Sequence, residues 1–372
     1  MLEEKQAKKC KICGKQSKFI ASFLEICGEC AKEGSVEARK VAEEIHQKAR
    51  EEFGLPPKPP RDLEGVECGI CANQCKIGEN KKGFCGLVEN REGRLFRLAG
   101  TPEKGLLEAY LDPHPTNCVA SWCCAGGSEA GYPKYSMSKG PEYDYYNLSV
   151  FYGACNFDCL YCQNWHFRSM VGKGPFLSAS ELASQVKEKV TCICFFGGDP
   201  APQIQHALAT AKLARQKKKG ILRVCLETNG NLDEKMLHEF AQVSLESGGG
   251  IKFDLKCWNE NLSLVLSGVS NQQAFKNLKK LAKLHEQRPE VPFLRASTLL
   301  VPGYVDEEEV EKIASFLAKL DSTIPYSLLA FSPQYLMDDL PFTSREFAYR
   351  CKKIAEEAGL QRVRIGNEFI LA

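Results

Sequence analysis

The sequence NLSVFYGACNFDCLYCQN, residues 147–164, places three cysteines directly after a short apolar run. The cysteines are Cys155, Cys159 and Cys162, and the run before them is typical of a buried β-strand. Three thiolates can hold three irons of a [4Fe–4S] cluster and leave the fourth iron open, whereas structural zinc takes four ligands. The pattern therefore indicates a catalytic cluster at a strand end. The alternative is a structural zinc site that borrows Cys192 or Cys194.

Short apolar runs alternate with amphipathic helical segments from this stretch to residue 359. The predicted strands are residues 147–153, 191–198, 223–230, 250–256, 293–303 and 326–333, and the predicted helices are residues 178–189, 204–219, 233–246, 271–285, 306–320 and 344–359. Parallel strands need such crossover helices and are buried on both faces. We therefore predict an α/β fold, a partial (β/α)6 barrel, with its chemistry at the carboxyl ends of the strands.

Special residues follow several of these strands where a barrel enzyme holds its ligand. They are Gly197, Gly198 and Asp199 after the second strand, Glu227 to Gly230 after the third, Asp254 to Lys256 after the fourth, and Pro302 and Gly303 after the fifth. Glycines let a backbone approach a ligand closely, and carboxylate and ammonium groups complement ligand charges. We expect these groups to surround one site.

The C-x-x-x-C-x-aromatic-C motif, followed by a Gly-Gly-acidic-Pro turn after the next strand, resembles the radical SAM superfamily. Across residues 147–330 the chain is most similar to the pyruvate formate-lyase activating enzyme branch, through LETNG, FDLK, LSGVSNQQAFKNLKKL and LLVPGYVDEEEV. The resemblance implies that the three cysteines ligate a [4Fe–4S] cluster whose open iron binds S-adenosylmethionine. It implies SAM contacts for Tyr161 at the adenine, Gly197, Gly198 and Asp199 at the amino group, and Thr228, Asn229, Asp254 and Lys256 near the ribose and carboxylate.

The resemblance implies reductive cleavage of SAM to a 5′-deoxyadenosyl radical that abstracts hydrogen from carbon. We expect a carbon of a protein side chain or peptide, as in glycyl radical formation, and a low-potential electron donor under anaerobic conditions. Val305 and Ser332 stand where the activating enzymes usually have other residues, so the specific reaction stays open. One alternative is a cobalamin-dependent C-methyltransferase without a separate cobalamin domain, as in glutamine methylation of methyl-coenzyme M reductase. Another is a non-catalytic metal-binding or cluster-carrier protein.

Two further cysteine groups precede the barrel. The first, Cys10, Cys13, Cys27 and Cys30, consists of two C-x-x-C pairs close to zinc-ribbon spacing, which predicts a tetrahedral zinc site. The second, Cys68, Cys71, Cys75 and Cys85, has a spacing that fits neither a zinc ribbon nor a ferredoxin run closely. Zinc and an auxiliary cluster both remain open for this group. Cys118, Cys123 and Cys124 are expected to be buried or reactive thiols.

The chain divides at a proline-rich stretch, LPPKPPRD. We predict a zinc-ribbon-like module with a helix over residues 1–54, a linker over 55–62, a cysteine-rich extension over 63–146, and the barrel with a C-terminal extension over 147–372. The helix begins after Ser35 and carries a thin apolar stripe, with His46 among its solvated residues.

Composition excludes some partners and suggests a compartment. The 372 residues carry 49 Lys and Arg against 47 Asp and Glu, so no global charge favours nucleic acid or an anionic membrane. No apolar stretch is long enough for a membrane span, and the N-terminus lacks the apolar region of a signal peptide. Nineteen cysteines, several in C-x-x-C pairs, favour metal binding in a reducing compartment, so we expect a cytoplasmic protein.

Overall fold

The main sheet is an open, mostly parallel barrel, and the structure, a computed structural model, describes residues 6–372. Within this range the sheet has nine strands, labelled β1 to β9: Gly105–Pro113, Tyr146–Tyr152, Phe176–Leu177, Val190–Gly197, Arg223–Thr228, Ile251–Asp254, Leu294–Leu300, Tyr326–Ala330 and Val363–Gly366. Their order is β9-β8-β7-β6-β5-β4-β2-β1-β3. β2 and β4 to β9 are parallel, whereas β1 pairs antiparallel with β2 and β3.

All six predicted strands are present, which confirms the α/β fold and its parallel sheet. The sequence prediction missed β1, β3 and β9 at the two sides of the sheet. β9 has only one buried residue, Ile365, so it lacks the continuous apolar run that marks a central parallel strand. β1 extends the sheet beyond β2 and brings the N-terminal half of the chain onto the barrel.

Helices cover the outside of the sheet. In the described residues we label them α1 to α9: Gly28–Glu33, Val36–Glu51, Ala179–Ser184, Ile204–Lys217, Glu234–Ser247, Glu260–Ser267, Gln272–His285, Glu307–Leu320 and Arg345–Glu357. Capping side chains fix several starts: Ser35, Ser178, Asp233, Asp306 and Ser344 each accept a hydrogen bond from a backbone N–H in the first turn. The six predicted barrel helices are confirmed, and α6, capped by Asn259, is additional.

The core lies between the sheet and these helices. β2, β4 and β7 are buried along nearly their whole length, as parallel strands covered on both sides must be. Helices α5, α7 and α8 present apolar side chains to the sheet and polar ones outward. Phe195, Phe240 and Phe253 are fully buried in this layer. The rigid layer fixes the strand ends at which the candidate site lies.

The N-terminal half packs against the barrel rather than extending from it. The hydroxyl of Tyr304, after β7, donates to the Ile26 carbonyl at 2.9 Å and accepts from the Ala21 N–H at 3.1 Å. Gly303 contacts Phe19 and Gly28, so this strand end receives the first cysteine group instead of facing a ligand. The proline-rich stretch is also attached, because the Lys76 N–H donates to the Pro60 carbonyl at 2.9 Å. The predicted domain boundaries stay a prediction.

No helix within residues 6–372 is both long and apolar enough to cross a membrane.

Candidate functional site

A cavity of about 330 Å³ opens at the carboxyl ends of the barrel strands. Every residue predicted to bind the cluster or SAM lines it: Cys155, Cys159, Tyr161, Cys162, Gly197, Gly198, Asp199, Thr228, Asn229, Asp254 and Lys256. They come from the ends of four strands and meet because parallel strands end at the same edge of a sheet. The sequence-based grouping of these residues thus matches their positions, while the role of each remains a prediction.

The three thiols of the cluster motif lie on one wall of the cavity. Cys155 and Cys159 are each 9% exposed, and Cys162 is half-buried. The Cys159 Sγ lies 3.2 Å from the Ser267 hydroxyl, and the Asn229 amide nitrogen lies 3.8 Å from the Cys155 Sγ. Hydrogen bonds of this kind orient and tune metal-bound thiolates. The wall therefore has the donor set of a three-cysteine cluster site.

The glycine turn after β4 packs against the backbone that leads into the cluster motif. Gly197 has φ +116°, a conformation that L side chains rarely adopt. A Cβ at Gly198 would overlap the Ala154 carbonyl oxygen. Both positions therefore require glycine, and this requirement brings the two strand ends close enough to share the cavity.

Asp199 lies buried immediately after the glycines. Its carboxylate accepts hydrogen bonds from the N–H groups of Asn229 (2.6 Å) and Ala201 (2.8 Å) and from the hydroxyl of Thr228 (3.0 Å). Burial raises the pKa of Asp199 to about 6 despite these donors. Asp199 thus ties the turn after β4 to the turn after β5, besides facing the cavity.

Four charges of alternating sign line the neighbouring part of the cavity: Glu227, Lys252, Asp254 and Lys256. The Lys252 ammonium lies 2.8 Å from Glu227 and 3.3 Å from Asp254, and the Lys256 ammonium lies 3.3 Å from Asp254. Burial alone raises the pKa of Asp254, but the two lysines outweigh burial and hold it below its usual range. Asp254 is therefore ionised at neutral pH.

Lys252 is a site residue that the sequence prediction did not identify. Lys252 lies inside β6, where the sequence predicts a buried strand. The available signal was its position two residues before Asp254, because alternate residues of a strand point to the same face. A lysine inside a buried parallel strand needs such partners.

A buried carboxylate, Asp158, anchors the cluster loop from behind. It lies 2.8 Å from the His46 Nδ1, 2.7 Å from an Arg168 Nη and 3.4 Å from an Arg50 Nη. Burial alone raises the pKa of Asp158, but His46 and the two arginines hold it well below its usual range. The expectation that His46 is solvated is wrong, because α2 lies with His46 and Arg50 against the cluster loop.

Part of the segment 114–124 forms an inner wall of the cavity, a position that the sequence does not predict. Asn117 and Val119 line it, and the Cys118 thiol contacts the Glu227 carboxylate at 2.8 Å. This segment is continuous with a buried clamp in which Glu142 holds both Nη atoms of Arg223, at 2.6 and 2.7 Å. Sequence spacing offers no signal for such contacts, since they join residues 81 and 109 positions apart.

The cavity fits the groups that the cluster motif implies. The three thiols suit iron, and charged groups of both signs suit the ammonium and carboxylate of an amino acid. The buried Tyr161 hydroxyl has no hydrogen-bond partner within residues 6–372, which leaves a polar atom available to a ligand. An iron–sulfur cluster with SAM is consistent with these features.

The first cysteine group has the geometry of a mononuclear metal site. The sulfurs of Cys10, Cys13, Cys27 and Cys30 all lie within 4.8 Å of one another. Burial on its own raises the pKa of Cys10, but backbone N–H donors, including that of Cys27, lower it to about 6. These four residues could bind a metal ion, and we propose zinc as that ion.

Comparison with known proteins finds a family model that matches most of the barrel. Residues 149–317 match the model of the Radical SAM superfamily. An uncharacterized protein of Methanocaldococcus jannaschii is 26% identical over 318 residues, or 82% of each chain. A second protein of that organism, named "Putative glycyl-radical enzyme activating enzyme", is 30% identical over 183 residues, 48% of this chain and 64% of its own length.

A solved domain of a pyruvate-formate lyase-activating enzyme from Bacteroides vulgatus aligns with 47% of this chain and 98% of its own, at 22% identity and a TM-score of 0.37. The family implies a [4Fe–4S] cluster and SAM as cofactors. Residues 149–317 therefore match a radical SAM domain, which makes the chain an enzyme whose relatives include proteins named as glycyl-radical enzyme activating enzymes.

Proposed function

We propose that this enzyme abstracts a hydrogen atom from a carbon centre of a protein or peptide. The observation that carries the proposal is that Cys155, Cys159 and Cys162 share one cavity with the glycine turn, Asp199 and Lys256. A non-catalytic cluster carrier does not need charged groups of both signs around an open cluster site. The match of residues 149–317 to the radical SAM family model also argues against the carrier alternative.

The residues of the cavity have distinct proposed roles. The three cysteines ligate iron. When SAM is bound at the open iron, the cluster and SAM together supply a 5′-deoxyadenosyl radical for hydrogen abstraction. Asp199 and the carbonyl groups of the glycine turn complement the SAM ammonium, and Lys256 complements its carboxylate. Tyr161 is proposed to contact the adenine, and its buried hydroxyl has no hydrogen-bond partner among residues 6–372. Phe157 and Phe167 exclude water from the thiol wall.

Two observations support a macromolecular substrate. Relatives of this chain are named as glycyl-radical enzyme activating enzymes, whose names point to a protein target. Exposed aromatic side chains also lie next to the cavity: Trp165 follows the lining residue Asn164, and Phe369, 83% exposed, lies two residues after the lining residue Asn367. Exposed aromatic groups beside a cavity are typical of surfaces that contact another protein.

Deuterium transfer tests the proposal. The protein is reconstituted anaerobically with iron and sulfide and given SAM, dithionite and an extract of cells grown in deuterated medium. We expect 5′-deoxyadenosine that carries deuterium, and we expect protease treatment of the extract to abolish the label. Label that survives proteolysis and comes from the small-molecule fraction would contradict a protein or peptide substrate.

A matched control separates cleavage of SAM from damage to the fold. The Cys155→Ala, Cys159→Ala, Cys162→Ala triple variant should form no 5′-deoxyadenosine and keep the metal of the first cysteine group. Cleavage of SAM by this variant would contradict the cluster assignment. Cobalamin-dependent methyl transfer to the same carbon stays a prediction, and S-adenosylhomocysteine formed alongside 5′-deoxyadenosine would indicate it.

A further inference from the structure

The second cysteine group converges on one small cavity. Cys68 and Cys75 flank a two-stranded ladder, Val66–Glu67 with Lys76–Ile77, and the Cys68 N–H donates to the Cys75 carbonyl at 2.9 Å. Cys71 lies in the turn between them, and Cys85 enters from the next turn. All four cysteines line the same void of about 10 Å³. Residues up to 17 positions apart thus line one cavity.

The spacing of these sulfurs differs from that of the first group. Four sulfurs about 2.3 Å from one tetrahedral zinc lie about 3.8 Å apart. The first group matches this value, because Cys10 and Cys30 are 3.8 Å apart and Cys13 and Cys27 are 3.7 Å apart. No three sulfurs of the second group come within 4.8 Å of one another, although all four residues belong to the described part of the chain.

The three cysteines of the catalytic motif provide an internal comparison. Their sulfurs also share a cavity without coming within 4.8 Å of one another. This wider spacing suits thiolates that bind different irons of one cubane rather than a single ion. The second group likewise has no three sulfurs within 4.8 Å of one another, and it has four cysteines instead of three. It therefore matches a fully ligated [4Fe–4S] cluster, with no open iron.

The surroundings of the second group suit a buried cluster. Ile70, Phe84 and Val88 supply apolar walls to the void. An Arg97 Nη lies 3.9 Å from the Cys68 sulfur, and the other Nη donates to the Cys68 carbonyl at 3.0 Å. A cluster with four thiolates carries net negative charge, which a guanidinium hydrogen-bonded to sulfur offsets.

Buried asparagines connect the second group directly to the catalytic motif. Asn73, between Cys71 and Cys75, donates its amide N–H to the carbonyl of Asn156 at 2.8 Å. Asn156 directly follows Cys155 in the chain and also lines the void of the second group. One hydrogen bond and a few covalent bonds therefore link the two cysteine groups.

A second asparagine pair holds this junction in place. Asn231 donates to the Asn73 side-chain oxygen at 2.8 Å and accepts at its carbonyl from the Asn156 amide, also at 2.8 Å. Asn229 donates to the Asn156 side-chain oxygen at 2.8 Å. All four asparagines are at most 4% exposed, so the junction is buried, and their mutual hydrogen bonds hold it in place.

We propose that Cys68, Cys71, Cys75 and Cys85 hold a second [4Fe–4S] cluster that exchanges one electron with the cluster at Cys155, Cys159 and Cys162. The exchange rests on the proposed function, whereas the second metal site does not. In the step, one electron leaves the second cluster, which is oxidised, and reduces the first, with no bond or proton changed. A low-potential one-electron donor, such as a reduced iron–sulfur protein or dithionite, reduces the second cluster again.

Metal content and Mössbauer spectra test the second site. Anaerobically reconstituted wild-type protein should contain about eight irons and one zinc per chain, and the catalytic triple Cys→Ala variant about four irons and one zinc. Wild-type protein with about four irons and two zincs per chain would overturn the proposal. The wild-type count decides the matter even where a variant fails to fold.

Electron paramagnetic resonance tests the proximity of the two clusters. The Cys68→Ala, Cys71→Ala, Cys75→Ala, Cys85→Ala variant should keep only the catalytic cluster. After dithionite reduction, spin coupling between the two clusters should broaden the wild-type spectrum. This spectrum should differ from the sum of the spectra of the catalytic triple Cys→Ala variant and the quadruple variant. A spectrum equal to that sum would overturn the electron exchange. Absence of SAM cleavage with eight irons present would refute the proposed function and leave the second site standing.

Discussion

Replacing Glu142 with glutamine should destabilise the protein by about 3 kcal/mol at neutral pH. Glu142 is fully buried and holds both Nη atoms of Arg223, while the Thr191 hydroxyl and the Met137 N–H donate to the same carboxylate at 2.6 and 2.7 Å. Glutamine keeps the shape and removes the charge. Arg223, 2% exposed, is then left without its counter-ion in the protein interior.

Two arguments give the magnitude. Burial alone raises the pKa of Glu142, but Arg223 and the hydrogen bonds outweigh it and lower the pKa from 4.5 to about 2. At 1.36 kcal/mol per pKa unit, this shift corresponds to about 3 kcal/mol. Removing one partner of a buried ion pair independently costs about 3 to 5 kcal/mol. Because the folded pKa is depressed, the contribution is complete above pH 4.5 and disappears as the pH falls from 4.5 toward 2.

Urea unfolding followed by tryptophan fluorescence measures the effect. Trp122 reports on the same segment, since its indole N–H donates to Ser327 at 3.2 Å across the barrel. The control is Glu307→Gln, which breaks an exposed ion pair with Arg350 and should cost less than about 1 kcal/mol. The unfolding free energies of wild type and Glu142→Gln should converge between pH 4.5 and 2. The difference in unfolding free energy between Glu307→Gln and wild type should stay constant over the same range.

Titration of His114 changes the stability of the protein over a second acidic pH range, which differs from that of Glu142. It lies 3.9 Å from Glu142, and burial together with Arg223 lowers its pKa to about 4. Because the folded state depresses the pKa of this base, the protein loses stability as the pH falls from 6.5 to 4. This loss should persist in Glu142→Gln. A cost below about 1 kcal/mol for Glu142→Gln, or an acid response identical to wild type below pH 4.5, would refute the reasoning.

Three further predictions concern the metal and cofactor sites. Gly198→Ala should lower the rate of 5′-deoxyadenosine formation at least about tenfold, because the new Cβ overlaps the Ala154 carbonyl, and it should leave the iron content unchanged. An unchanged rate would show that the turn can move. Asp158→Asn should reduce iron bound at the catalytic motif, measured after desalting, since it leaves two buried guanidiniums unpaired behind the loop. Cys13→Ser should lower zinc by about one equivalent and leave iron unchanged, and loss of iron instead would contradict the zinc assignment.

The barrel was largely predictable because its signals are local. Parallel strands between crossover helices need continuous apolar runs, and all six such runs became strands. The predicted cofactor residues also met in one cavity, since the carboxyl ends of parallel strands lie at one edge whatever the loops between them do. The first cysteine group was equally readable, because two C-x-x-C pairs fix the sulfur positions over short spans.

Contacts between distant parts of the chain were not predictable. The sequence predicts a solvated His46 because its neighbours on α2 are charged. In the structure α2 buries His46 against Asp158, 112 residues away. The inner wall at Asn117 and Val119 and the clamp of Glu142 on Arg223 depend on where the segment crosses the barrel.

The sequence by itself determined the parallel barrel, the cluster motif and the glycine turn, since each follows from the residues' own periodicity, spacing or backbone freedom. The pairing and packing of distant segments decide which charges face one another and whether the sulfurs of the second cysteine group come within 4.8 Å. Electrostatic and metal-ligand energies depend on distances in space, and these distances are set by strand pairing within the barrel and by the packing of the N-terminal half on it.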